Sequence, residues 1–254
     1  MKTHVQHLKG LARTEFTLFF RSKANLVNVL LVPTLLVIAM KAVLDSFDLR
    51  QLGLELAPTM VASASGILLV MGLYVPLTTM YVLRREELLL KRLRTGEVSD
   101  VTILVGIVLV LTTVVLLQFA AVSAAISWLG GADAPPALHQ AFLGMLLGAL
   151  LMIALAAGTA ALSPTAESAQ VTILPVLFVL PSTSGAFFPL EMFPEVLQDV
   201  ARFLPLTPVV DLVRSGWTGE LGLSDALPRV LVLTVWIGIS ALVVRRCFRW
   251  EPRT

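Results

Sequence analysis

Six long apolar runs, separated by short polar connections, leave this chain one broad class of fold. They cover about residues 24–44, 58–83, 101–128, 138–162, 169–184 and 228–244, and their middle thirds carry no Asp, Glu, Lys, Arg or His. The longer runs suffice to cross a hydrocarbon core of about 30 Å at about 1.5 Å per helical residue. Only 14% of residues are charged and 57% are hydrophobic, against roughly a quarter charged in soluble domains. The expected fold is therefore an all-α integral membrane protein of six transmembrane helices forming a single domain over 1–254. The net charge of +2 says little, because the placement of the charges matters more. One cysteine, Cys247, excludes an internal disulfide and a cysteine-based metal cluster. The opening MKTHVQHLKG is too polar for a cleaved signal peptide.

The only dense charge cluster lies between the second and third runs. From Leu83 to Asp100 it holds five bases (Arg84, Arg85, Lys91, Arg92, Arg94) and the acids Glu86, Glu87 and Glu97. Such a segment cannot stay in hydrocarbon, and its basic excess places it on the cytoplasmic side. Its spacing predicts a helix over 84–95. Glu87 stands four residues before Lys91, the favourable order for an exposed pair, and Leu89 and Leu93 share a face. Two readings fit: a docking surface for a soluble partner, or a solvated connection that only sets topology.

The remaining segments have their own signals. Residues 4–22 carry an apolar stripe (Val5, Leu8, Ala12, Phe16, Phe19) beside Lys9 and Arg13, which predicts an amphipathic helix in the membrane interface. Pro33 predicts a bend in the first span. Gly66, Gly72 and Pro76 in the second span, and Gly144, Gly148 and Gly158 in the fourth, permit close packing or a kink. Residues 185–208 are too broken by proline and charge to span. Yet Leu190, Phe193, Leu197, Val200 and Leu204 recur at helical spacings, predicting short helices at or dipping into the outer surface. Residues 209–227 read as a polar loop. Topology follows from counting bases. With both termini inside, Lys2, Lys9, Arg13, Arg21, Lys23, the five central bases, Arg245, Arg246, Arg249 and Arg253 are cytoplasmic. Only Lys41, Arg50, Arg202, Arg214 and Arg229 lie at the other side.

Much chemistry is missing from the sequence. There is no Walker-type phosphate loop and no HExxH zinc motif. Serines in the apolar runs, such as Ser63, Ser65 and Ser182, have no mid-membrane histidine to activate them, which argues against an intramembrane protease. The spans also lack the ionisable groups that proton- and ion-coupled carriers place along their pathways. A pump built this way draws its energy from elsewhere, and a soluble motor at the central charged segment would supply it.

Three features resemble the permease subunit of the type-2 exporter class of ATP-binding-cassette transporters, which includes bacterial drug, antibiotic and polysaccharide exporters. The first is the order: amphipathic helix, two spans, charged cytoplasmic helix, four spans. The second is RREELLLKRLRTGEVSD, similar to the family's coupling segment, with Leu93-Arg94, Thr95 and then Ser99 opening the next span. It departs from the family at Gly96-Glu97, where Thr-Pro or a similar pair is common. The third is SGAFFPLEMFPEVLQDVARFLPLTPVVDLVR, where Phe188-Pro189, Pro194 and Pro205-Leu206-Thr207 fall in the family's order and end at Arg214.

The resemblance implies a permease in the cytoplasmic (inner) membrane that is not itself an enzyme. Two permease subunits, as a homodimer in preference to a heterodimer with a sister permease, would sit in membrane lipid and each dock a separately encoded ATPase subunit, which binds the ATP and Mg; this chain carries no cofactor and no metal site, and binds no nucleic acid. Docking would use Arg84, Glu87, Leu89, Lys91, Leu93 and Arg94. The substrate pathway between subunits would draw on Met71, Tyr74 and Thr78 from the second span and Phe178, Ser182 and Thr183 from the fifth. The short helices at 185–208 would form an outer gate through Phe187, Phe188, Pro189, Phe193 and Pro194. Mixed apolar and weakly polar lining suits an amphipathic or lipophilic substrate, such as a drug, an antibiotic, or a lipid-linked or glycan-like molecule. A six-span secondary carrier or channel, and a membrane anchor for a soluble partner, are the alternatives.

Overall fold

The computed structural model describes residues 21, 23–86, 100–130, 135–220 and 222–247. The expected interfacial helix at 4–22 (Arg21 apart) and the expected coupling helix beyond Glu86 lie outside them. Among the described residues the chain is helical and contains no strand. Six long helices are α1 (23–45), α2 (56–86), α3 (Asp100–Gly130), α4 (Leu138–Leu162), α5 (Ala166–Thr183) and α8 (Leu223–Cys247). Between α5 and α8 lie two shorter ones, α6 (Glu195–Ala201) and α7 (Thr207–Thr218), and a 3-10 turn at Leu190–Met192. Each long helix contains a stretch long and apolar enough to cross a membrane. The protein is a multi-pass helical membrane protein, as the six apolar runs require. The helix ends that meet at Lys23, Glu86, Leu162, Ala166 and Arg246 form one end of the bundle, here the basic end.

α2 is the axis of the bundle. From Thr59 to Val70 every residue is buried, and its neighbours are α1, α3, α4, α5 and α7. Both α1 and α2 contain a π-helical stretch just before a proline: Val27–Leu31 before Pro33, and Leu68–Tyr74 before Pro76. The Val32 N–H donates to the Val27 carbonyl and the Val75 N–H to the Val70 carbonyl, five residues back in each case. A proline ring would otherwise clash with the carbonyl four residues before it, and the wider turn relieves that clash. The two irregular stretches meet at Gly72. A Cβ there would stand 3.1 Å from Val115, 3.7 Å from the Val29 carbonyl and 4.0 Å from the Pro33 ring. Gln118 on α3 fastens the same region, donating to the Leu30 carbonyl at 2.9 Å and to Thr34 Oγ1 at 2.8 Å.

The polar loop expected at 209–227 is corrected by the structure. Residues Thr207–Thr218 form α7, whose apolar face is buried against α4 and α2. Its Asp211, Arg214 and Gly216 mask the pattern in the sequence, and twelve residues, about 18 Å of helix, are too few to span. The glycines of α4 receive it. A Cβ on Gly144 would lie 2.9 Å from Leu212 Cβ, and one on Gly148 would lie 2.8 Å from Val209 Cγ1. Small residues four apart on a helix let a second helix approach closely; here the approaching helix is the short α7.

Between α5 and α7 the chain folds back into the bundle. Gly185, at φ +84°, takes the left-handed conformation that ends α5. Ala186 then packs against Gly66, where an added Cβ would stand 2.5 Å from Ala186 Cβ. Gly66 is ten residues into α2, about 15 Å along it. On the return, the Phe203 carbonyl accepts a hydrogen bond from Trp236 Nε1 at 2.9 Å. Trp236 is thirteen residues into α8, about 20 Å along it. Between Gly185 and Pro208 lie the 3-10 turn Leu190–Met192 and the short helix Glu195–Ala201, with no continuous helix through them.

Candidate functional site

Three groups of residues carry the candidate chemistry, beginning with the basic end. Arg84 stands in the last turn of α2. Glu87, Leu89, Lys91, Leu93 and Arg94 lie outside the described residues. The residue that stands out is Arg85, which is 1% exposed. Its Nη1 donates to the Ala160 carbonyl at 3.0 Å, and its Nη2 donates to the Ser163 carbonyl and, at 3.0 Å, to that of Pro164. Ala160 is in the last turn of α4, whose final carbonyls have no partner within the helix and carry the negative end of its dipole. Ser163 and Pro164 form the turn into α5. That helix is closed by a capping box in which the Thr165 hydroxyl accepts from the Ser168 N–H and the Ser168 hydroxyl accepts from the Thr165 N–H. A buried guanidinium thus joins the ends of α2 and α4 to the beginning of α5.

The sequence offers Arg84 and Arg85 as equivalent neighbours. The signal that separates them is the register of α2: Tyr74, Thr78, Tyr81 and Arg85 follow at intervals of four, three and four, and all four are buried.

The second group is the set named for a pathway, and its members do not share one surface of the subunit. Tyr74 and Thr78 are fully buried. The Tyr74 hydroxyl is 3.0 Å from Thr159 Oγ1 on α4, and Thr78 Oγ1 donates to the Tyr74 carbonyl at 2.9 Å. Met71 is half-buried among the α1 and α2 residues Val37, Met40, Ala64 and Ile67. On α5, Phe178 is 58% exposed, and Ser182 and Thr183 are half-buried. Thr183 Oγ1 donates to the Val179 carbonyl at 2.7 Å, while its own carbonyl accepts from Thr207 Oγ1 at 3.4 Å.

The third group is the hairpin between α5 and α7. Phe187 packs on the α1–α2 cluster, and its N–H donates to the Pro181 carbonyl. Pro189 is buried, Phe193 half-buried, and Phe188 and Pro194 exposed. The Phe193 carbonyl accepts from Gln198 Nε2 at 2.8 Å, and Pro194 caps α6. A connected set of charges ties this hairpin to the frame. Glu191 pairs with Arg214 at 2.7 Å, Arg214 lies 3.8 Å from Asp211, and Asp211 pairs with Arg229 on α8 at 3.1 Å. Of these four, the sequence places Arg214 at the end of a motif and Arg229 only in the count of bases. The Asp211–Arg214 spacing of three is the signal for this pair, and it carries weight only once the segment is known to be helical.

Comparison with known proteins bears on all three groups. The family model described as ABC-2 type transporter matches residues 6–217. The chain is 39% identical over 82 residues to Nodulation protein J of Rhizobium leguminosarum bv. trifolii, a match covering 30% of this chain and 29% of that protein. It is 35% identical over 71 residues to Nodulation protein J of Rhizobium leguminosarum bv. viciae, covering 28% of this chain and 26% of that protein. The chain thus spans less than a third of the length of the curated relatives it matches.

Proposed function

This chain belongs to the ABC-2 type transporter family, and on that premise we propose that it is the membrane-spanning subunit of an ATP-driven exporter of an amphipathic or lipophilic substrate. A separate nucleotide-binding subunit docks on the charged segment that follows α2, through Arg84, Glu87, Leu89, Lys91, Leu93 and Arg94, and hydrolyses the ATP. Two permease subunits form the assembly, with the basic end and both termini in the cytoplasm. The observation that carries this reading is the match of the family model across residues 6–217, a range that includes the charged segment and the hairpin. The placement of charge supports it. In the described spans, charged side chains lie within the first or last two turns, from Lys41 and Asp45 on α1 to Arg229, Arg245 and Arg246 on α8. Among the described residues, the middle of each span lacks the Asp, Glu, Lys, Arg and His that proton-coupled carriers usually place along their pathways.

The hairpin acts as the outer gate in this reading. Backbone without regular structure is tolerated at membrane depth only when it is covered by protein or water. The pairing of the Phe203 carbonyl with Trp236 and the seating of Ala186 on Gly66 supply such cover. Phe178, Ser182 and Thr183 on α5 border the pathway between subunits. Tyr74 and Thr78 join it only when α2 and α4 separate at the Tyr74–Thr159 contact.

The test is copurification with the nucleotide-binding subunit, followed by ATPase and transport assays in lipid vesicles. The expected result is a stable complex whose ATP hydrolysis rises with substrate and whose transport stops without ATP. Transport that persists without ATP would identify a secondary carrier instead. Partner binding with no effect of nucleotide on conformation would identify an anchor.

A further inference from the structure

We propose that Arg85 is the positioning residue that carries displacement of the charged segment into α5, and through α5 to the hairpin. The inference rests on the exporter reading above and adds to it a named mechanical link.

The geometry distinguishes Arg85 from an ordinary helix cap. Three carbonyl acceptors of Arg85 are 75, 78 and 79 residues away in sequence. Those acceptors also straddle two elements. Ala160 belongs to α4, while Ser163 and Pro164 form the turn that leads into α5. Only three residues, 163–165, separate the two helices, and Ser163 is itself fully buried. The turn therefore has no slack, and the Thr165–Ser168 capping box locks the first turn of α5 to it. A cap that served α4 alone would not need to reach past Leu162.

The position of Arg85 along α2 supplies the other half of the argument. It lies between Arg84 and Glu87, two of the residues proposed to meet the motor, in the final turn of the most enclosed span. The last part of α2, Val75–Glu86, also packs along α5. A guanidinium with three carbonyl acceptors holds its plane in a fixed orientation, because its donors form a rigid fork. A shift of the end of α2 must then either drag the α4–α5 turn with it or break charge-assisted hydrogen bonds in a buried site, which is costly. Dragging the turn moves the start of α5. The other end of α5 runs through Gly185 into the hairpin that packs on Gly66.

Two variants test the link. Arg85→Lys keeps the charge but replaces the planar fork by a single ammonium. Inserting one glycine between Pro164 and Thr165 leaves Arg85 in place and adds slack to the turn. Each is purified with the nucleotide-binding subunit, and ATP hydrolysis and transport are measured on the same vesicles. Both should retain the partner and basal ATP hydrolysis, while substrate transported per ATP falls by about tenfold or more, within the range of known coupling between sites. A purely structural cap would lower the yield of folded complex without changing that ratio. Where Arg85→Lys does not fold, the insertion decides. A folded, partner-bound insertion variant with the parental ratio overturns the link and leaves the exporter reading intact. Failure of the parental protein to bind the nucleotide-binding subunit overturns the exporter reading and the link with it.

Discussion

Arg214 on α7 holds Glu191 of the hairpin at 2.7 Å, joining a segment that the sequence predicts as short surface helices to one that it predicts as a polar loop. Both side chains are about 30% exposed, so the pair is neither a dry core bridge nor a fully solvated one. Through Asp211 the same guanidinium is tied to Arg229 at the start of α8, so the hairpin is fastened to two helices of the frame. Arg214→Ala should destabilise the folded protein by about 1.5–3 kcal/mol, the range for hydrogen bonds to charged groups. Glu191→Gln should have a smaller effect, because the amide oxygen still accepts from Arg214. Thermal midpoints in detergent for the two single variants and the double variant would measure the coupling; strict additivity would mean the pair contributes nothing.

Gly66 is the seat of the hairpin. Gly66→Ala places a methyl group 2.5 Å from Ala186 Cβ, a clash that neither backbone can relieve without moving. Overpacking of this kind costs about 1–3 kcal/mol. Ala186→Gly in the same chain should restore most of it. A double variant no more stable than Gly66→Ala alone would place the strain elsewhere.

Gln118 makes the polar bond between α3 and the irregular turn of α1. Gln118→Leu should lower stability by about 0.5–2 kcal/mol, the range for hydrogen bonds between membrane helices. Thr34→Val should have a similar but smaller effect, since the Leu30 carbonyl remains as an acceptor. Equal thermal midpoints for Gln118→Leu and the parent would show that the bond is exchanged for equivalent packing.

Docking of the motor on the charged segment has its own test. Leu93→Ala should release the nucleotide-binding subunit or uncouple it, at a cost of about 2–4 kcal/mol if the leucine is buried in the interface. A charge swap at Lys91 should cost no more than about 1 kcal/mol at an exposed rim. The membrane fold should survive both changes. Partner copurification and substrate-stimulated ATP hydrolysis equal to the parent in both variants would remove the docking role from this segment.

Sidedness is read most directly at Cys247, the last described residue of α8 and the only cysteine in the chain. In sealed right-side-out vesicles its labelling should require a membrane-permeant thiol reagent. Full reaction with an impermeant reagent from outside would invert the proposed orientation.

The sequence by itself determined the helical class and the number of long apolar helices. Hydropathy is a local property, and a run such as Val101 to Trp128 carries its whole signal within itself. It also placed the proline-broken segment at 185–208, because Pro189, Pro194 and Pro205 cannot donate to a continuous helix. Only the tertiary structure decided the fate of residues whose neighbours are distant in sequence. Thr207–Thr218 mixes charges with apolar residues and is too short to span, so it becomes a buried helix only because Gly144 and Gly148 of α4 leave room for it. Arg85 and Arg84 are identical in type and adjacent in the chain, and composition cannot tell them apart. Arg85 is buried because the turn of α2 aims it at the carbonyls that end α4, and those carbonyls need a donor that their own helix cannot provide.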